Sequence, residues 1–399
     1  RLARELFGQR AGLAAAAFLA VDPVHVVWSQ VIRTDIMASC FMLLCMLSSV
    51  RLAREGLRRD LAMAALWLAL AVATKWPFAL AALSVGGALV LRAISGGAGL
   101  RREAARFALF GGLSVALLVL ISPYLLLDFQ TVLKNLQGEA QTQHLGATGG
   151  GLFWNAGWYL GGPLLRGLGF GASVLAIAGV AMLPRRREAF AVIGPVLIAF
   201  FAIICVQHLV WDRWALPLLP LLCILAAYAF VEIARRGASW MPSKARVVAF
   251  WAALAAILVQ PAYATVQAGR ERKHDTRQIA TEWVQAHAPP GATIMVEHFG
   301  FDLLSGPWRL MFPLGTRGCI DARDILHNKV QYHSIEGART GISNVDYGTM
   351  EPSMRESCRI DFAILTQYDR YRVEKERFPS EFAAYSSLLA KGRVVATIA

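Results

Sequence analysis

Charge is what this sequence has least of. Only 17% of its 399 residues are Asp, Glu, Lys or Arg, against roughly a quarter in soluble domains. No charged residue lies between Arg106 and Asp128, between Glu188 and Asp212, or between Arg246 and Arg270. With a mean hydropathy of +0.47, this scarcity excludes an ordinary soluble domain and indicates an integral membrane protein. Cysteine is also sparse, at six residues, which excludes a disulfide-dense scaffold. Cys40, Cys45, Cys205 and Cys223 fall inside apolar runs and read as small core residues. Cys319 and Cys358 lie in the polar C-terminal part and can pair if that part is outside the cytoplasm. There is no nucleotide-binding glycine loop, no metal-ligand spacing, no internal repeat and no nucleic-acid motif. No signal peptide is visible, because the first apolar run follows a polar segment and precedes further runs.

Apolar runs fall at about 11–28, 36–50, 61–74, 77–91, 107–127, 168–183, 189–209, 214–233 and 247–264. Pro77 disfavours helix at Trp76, so the third and fourth should be joined by a tight turn at Lys75-Trp76-Pro77. The net charge of +13 is concentrated in short loops between the runs. One alternating set of loops holds 18 Lys and Arg, including Arg51, Arg54, Arg92 and Arg185–Arg187. The other holds only Arg33, Lys75, Lys134, Arg166 and Arg213. The richer set is expected in the cytoplasm and the poorer set outside. This reading puts the C-terminal part outside as well, on the extracytoplasmic (periplasmic) side of an inner (cytoplasmic) membrane that the chain crosses several times. The expected fold is an α-helical polytopic membrane protein of about nine transmembrane helices with a C-terminal extracytoplasmic α/β domain. The expected boundary separates a membrane domain, 1–264, from that α/β domain, 265–399. In the latter, 275–287 and 381–389 read as helices, and 293–296, 361–366 and 394–398 as strands. Residues 305–350 are glycine-rich and carry no assignable element. The loop 128–167 holds Gly146, Gly149, Gly150 and Gly151, then Phe153, Trp154, Trp158 and Tyr159. It reads as a flexible strip followed by a headgroup-level aromatic belt.

The ionisable residues expected at the outer face are Asp22, His25, Arg33, Asp35, Lys75, Asp128, Glu139, His144, His208, Asp212 and Arg213. Charges of both signs at a membrane surface are costly unless they share a polar site. Cations there suit a lipid-borne phosphate, and carboxylates suit proton transfer or a divalent metal. Each residue also has a plainer reading. Asp22 before Pro23 can simply start a helix. His25 can be a satisfied polar side chain, and Lys75 can snorkel to the interface. Asp212 and Arg213 can be a surface ion pair. The stretch Trp28–Asp35 can be a polar hairpin turn.

Several motifs, in order, resemble the C-type glycosyltransferases, and among them the protein O-mannosyltransferase and aminoarabinose transferase families. The segment Asp22-Pro23-Val24-His25 through Arg33-Thr34-Asp35 resembles their early helix pair. Thr74-Lys75-Trp76-Pro77 is similar to their short hairpin. Ser122-Pro123-Tyr124 with Asp128, Glu139 and His144 resembles the helix end and loop that follow. Asp212-Arg213-Trp214 with Pro217 and Pro220 resembles the helix that closes the set, and Glu282-Trp283 to Glu297 the external α/β domain. The resemblance implies transfer of a sugar from a polyprenyl-phosphate carrier to a glycan, lipid or protein acceptor outside the cytoplasm. It implies that Asp35 lines the site and orients the acceptor or a metal, and that Lys75 and Arg213 neutralise the carrier phosphate. Glu139 and His144 would contact donor or acceptor, and Arg33 and Asp212 would complete the substrate-binding set. The family's first span and first external loop have no counterpart here. Residues are therefore expected before Arg1, among them the main catalytic carboxylate. The competing class is a transporter or flippase of a lipid-linked glycan, which would more often show internal repeats and helices broken at mid-membrane.

Overall fold

The computed structural model describes residues 1–95, 99–138, 141–237, 242–298, 300–330 and 345–398. They form two compact units. One comprises Arg1–Gln143 and Ala147–Gly269, the other His144–Gly146 and Arg270–Ala399.

The first unit is helical. After α1 (Leu2–Phe7), the first apolar run is two helices, α2 (Gln9–Ala20) and α3 (Pro23–Ser29), bent by 67°. Asp22 makes the break. Its Oδ1 accepts the His25 backbone N–H at 2.9 Å, and Pro23 has no N–H to leave unsatisfied in the first turn. Next comes α4 (Asp35–Glu55), which stops at Gly56 in the left-handed conformation, φ 66°. In α5 (Arg58–Thr74), 17 residues span only about 25 Å, and the first three are charged. Lys75 is extended, and a 3-10 turn from Trp76 leads into α6 (Ala82–Ser95), the hairpin expected at Pro77. Then follow α7 (Leu100–Ile121), the short α8 (Tyr124–Leu127) and α9 (Phe129–Gly138), and α10 (Leu152–Tyr159). The membrane helices end with α11 (Leu165–Met182), α12 (Arg187–Val206), α13 (Leu218–Gly237) and α14 (Ser243–Glu271).

Among the described residues, seven helices are long and apolar enough to cross a membrane, or eight if the bent pair counts as one span. The expected number was about nine. The difference is α5, whose apolar part is short of the roughly 30 Å of a bilayer core.

Glycine lets these helices approach closely. A Cβ on Gly87 of α6 would lie 1.8 Å from the Ala191 carbonyl oxygen of α12. One on Gly179 of α11 would lie 2.1 Å from that of Leu225 of α13. Such small-residue seams are how helices associate where water supplies no driving force. A buried polar contact also joins α4 to α6, between the hydroxyls of Ser49 and Ser84 at 2.9 Å.

The second unit is built on a four-stranded sheet in the order β3-β2-β1-β4: β1 (Thr293–Val296), β2 (Arg309–Leu314), β3 (Gly318–Asp321) and β4 (Phe362–Ile364). Strand β1 pairs in parallel with β2 and β4, and β3 antiparallel with β2. Alternation divides the core. Ile294 and Val296 pack with α15 (Thr276–His287) through Ala280 and Val284. Met295 faces the other way, toward Tyr371 of α17 (Tyr368–Val373) and Tyr385 of α18 (Pro379–Ala390). The short α16 (Ala322–Leu326) follows β3. Cys319 and Cys358 are disulfide-bonded, with Cα atoms 5.0 Å apart. Two strands, β2 and β3, lie where the sequence offered none. The strand expected over 394–398 is absent: this stretch is irregular, with Val394 and Val395 largely exposed, and β-branched residues form no strand without an edge to pair with.

Candidate functional site

Asp35 begins α4 and Lys75 ends α5, so two residues 40 apart in sequence meet at the same end of two packed helices. The Lys75 ammonium donates to Asp35 Oδ1. The Asp35 side chain is 4% exposed and that of Lys75 24%. The Lys75 charge also feels Arg213 and Arg33. Arg33 comes from the turn before α4, and Arg213 from the 3-10 turn Asp212–Ala215 before α13. Three cations thus share a neighbourhood in which Asp35 is bonded to Lys75. The Arg213 guanidinium stands over the Trp211 ring at 4.8 Å, which holds its plane in place. Asp212 turns aside and pairs with Arg166 at 2.8 Å.

Other residues of the expected set sit elsewhere. Asp22 is fully buried at the break between α2 and α3. A Cβ on Gly167 of α11 would lie 2.8 Å from both of its carboxylate oxygens. His25, on α3, has Nδ1 3.5 Å from the Ser29 hydroxyl. Asp128 lies between α8 and α9 and is exposed. His144 belongs to the second unit, where its Nδ1 lies 3.0 Å from the Leu145 carbonyl. Glu139 lies outside the described residues. Among the described residues, no group of three His, Cys, Asp or Glu is placed to hold a metal ion.

The opposite end of α4 is a second polar cluster, with another role. Arg54 pairs with Glu5 at 3.3 Å and with Glu188 at 2.6 Å. Arg106 contacts the buried Glu103 at 3.3 Å and donates to the Gly56 carbonyl at 2.7 Å. Arg92 reaches the Leu52 and Ala53 carbonyls. Arg92 and Arg106 thus cap the carbonyls at the C-terminal end of α4. A cavity of about 390 Å³ lies among Ala53, Arg54, Arg92 and Glu188. At 1.5 Å per residue, the 21 residues of α4 separate this end from Asp35 by about 30 Å. The loops grouped together by charge counting thus meet one another at the same end of the bundle.

Two contributors escaped the sequence reading. Asn155 and Tyr159 of α10 are completely buried and bond to the segment that leads into Arg213. Tyr159 accepts the Trp211 N–H at 3.2 Å, so it is part of the core and not of an aromatic belt. Phe153 and Trp154 are exposed, as a belt requires. An amide inside an aromatic, lipid-facing run was the available signal.

In the C-terminal unit, Glu297 follows β1 and is buried. It accepts the backbone N–H of Tyr347 at 3.0 Å and of Thr366 at 2.7 Å, and the Tyr385 hydroxyl. Burial pushes its carboxyl up to about 7, although these hydrogen bonds and that of Tyr385 pull the other way. Burial also raises Asp346, which accepts from the Tyr371 hydroxyl at 3.1 Å.

Helices and cluster together define a multi-pass membrane protein with a cation-rich, carboxylate-centred group at one end of its bundle. Residues 1–126 match the family model of dolichyl-phosphate-mannose-protein mannosyltransferase. That stretch contains Arg33, Asp35 and Lys75, and the match agrees with the resemblance read from its motifs. Two crystal structures of ArnT from Cupriavidus metallidurans are similar to the chain at 15% identity. The apo state aligns over 77% of this chain and 67% of that one, with a TM-score of 0.46. The state bound to undecaprenyl phosphate aligns over 85% and 70%, with a TM-score of 0.49. No curated protein sequence matches the chain.

Proposed function

We propose that this chain is the membrane core of a glycosyltransferase that takes a sugar from a polyprenyl-phosphate carrier and passes it to an acceptor on the extracytoplasmic side. One observation carries the reading: buried Asp35 pairs with Lys75 where α4 and α5 meet, and the charges of Arg33 and Arg213 act on that same Lys75. When the bond between sugar and phosphate breaks, negative charge grows on the phosphate oxygens that leave with the lipid. Fixed cations in a site poor in water stabilise that charge more strongly than water does. In this scheme Asp35 holds Lys75 in place until the carrier phosphate arrives and shares its ammonium. The family match over residues 1–126 supports the class of reaction. The lopsided loop charges support the sidedness. So does the Cys319–Cys358 disulfide, a bond at home in an oxidising compartment.

The test is turnover of polyprenyl-phosphate sugars by the protein reconstituted in lipid, with Arg213→Ala alongside. Loss of a charged contact made in the transition state should cost about 100-fold in kcat/KM, on the order of 3 kcal/mol. Equal turnover in the two proteins would remove Arg213 from the site.

A further inference from the structure

Arg213 sits on a single 3-10 turn, an element with too few hydrogen bonds of its own to fix a guanidinium. What fixes it is the connection before it. Helix α12 ends at Val206, and the next five residues run to Trp211 without regular structure of their own. Each of their main-chain bonds to the stretch 147–159 is specific. Asn155 Nδ2 donates to the carbonyls of Cys205 at 2.9 Å and Gln207 at 2.8 Å. Its Oδ1 accepts the Gly150 N–H at 3.1 Å. Gly149 N–H donates to the His208 carbonyl at 2.7 Å, and Val210 N–H to that of Ala147 at 2.8 Å. Tyr159 takes the Trp211 N–H.

We infer that Asn155, with Tyr159 beside it, is a positioning residue: it clasps the 205–211 connection to the glycine strip and so sets where Arg213 meets the carrier phosphate. Asn155 uses both donors and its acceptor on main chain from two segments, and no other residue type of its size offers that set. Gly149 is part of the device, since a Cβ there would lie 2.6 Å from Asn155 Oδ1. A glycine is thus needed at 149 for close approach to the amide. The inference rests on the proposed role of Arg213 and adds to it the element through which that role is exercised.

The test uses the full chain in detergent, with polyprenyl monophosphate as the probe and affinity measured for the wild type, Asn155→Ala, Arg213→Ala and the double variant. Hydrogen exchange of the 205–213 segment is followed in parallel. The expected result is about tenfold faster exchange at Val210 and Trp211 in Asn155→Ala, about fivefold weaker binding, and no further weakening when Arg213 is already Ala. A role limited to stability would lower the melting temperature and leave that coupling at zero. Faster exchange with unchanged affinity, while Arg213→Ala still weakens binding, would overturn the inference alone. If Arg213→Ala binds as well as wild type, the proposed site falls and the inference with it. Should Asn155→Ala not fold, Tyr159→Phe removes one hydroxyl and should show the same coupling at about half the size.

Discussion

Replacing Asp35 by Asn keeps its shape and removes the carboxylate paired with Lys75. The Asp35 side chain is 4% exposed and that of Lys75 24%, so little water is available to take over. Stripping one partner from a buried pair costs about 3–5 kcal/mol. The quarter exposure of Lys75 lowers this to about 2–4 kcal/mol. For a unit of this size, 1 kcal/mol moves Tm by about 2–4 °C, so Asp35→Asn should melt roughly 5–12 °C below wild type in a thermal unfolding scan. The second half of the expectation concerns the ligand. In the wild type a lipid phosphate competes with Asp35 for Lys75; in Asp35→Asn it is the sole counterion on offer. Polyprenyl phosphate should therefore raise the Tm of the variant more than that of wild type. Removing both charges, as in Asp35→Asn with Lys75→Met, should recover part of the loss. A variant that melts within about 1 °C of wild type, or one that the lipid stabilises no more than wild type, would refute the reasoning.

Three further outcomes follow from the geometry. Glu297 has its folded pKa raised from an ordinary 4.5 to about 7 by burial, so the folded form holds a proton that the unfolded form releases. The resulting stability is complete below pH 4.5 and is lost as pH rises through about 7. It amounts to on the order of 3 kcal/mol; denaturation of the C-terminal unit followed across this window should show it, and Glu297→Gln should flatten the slope. Reducing the Cys319–Cys358 bond reopens a 39-residue loop, an entropic loss of about 4 kcal/mol, seen as a lower Tm of that unit with a thiol reductant present. Gly87→Ala drives a methyl group into the Ala191 carbonyl, 1.8 Å away; backbone on backbone cannot yield cheaply, so folded yield by size exclusion should drop sharply, whereas the same change at Gly111, which has nothing within 4 Å, should not matter.

Much of the helical unit was legible because lipid imposes one demand, a long run of apolar side chains, and charge imposes another, a bias between loops. Trp76-Pro77 gave its hairpin away through the steric limits of proline. The sheet was legible only in part. Thr293–Val296 and Phe362–Ile364 are runs of β-forming residues, while β2 contains Pro313, which lacks an N–H and argues against a strand. Here its partner Cys319 tolerates it beside the turn. The break in the first apolar run was hidden because Asp22-Pro23 marks a helix start equally well at a membrane surface and inside it. Lys75 and Asp35 could be grouped by the cost of isolated charge, but their pairing across 40 residues is tertiary. Asn155 was hidden by its neighbours: among Phe153, Trp154 and Trp158 an amide looks like interface, and only the fold shows it turned inward.

The 67° break between α2 and α3 bears on how a long-tailed substrate could reach the bundle. A broken helix frees backbone amides and carbonyls that hydrocarbon cannot satisfy, and here protein meets them: Asp22 lies against Gly167 of α11, and the Val21 carbonyl accepts the Thr265 hydroxyl of α14 at 2.7 Å. The break is thus held at two points, by α11 and by α14, and under the proposed function an isoprenoid chain would enter more easily between helices not tied in this way.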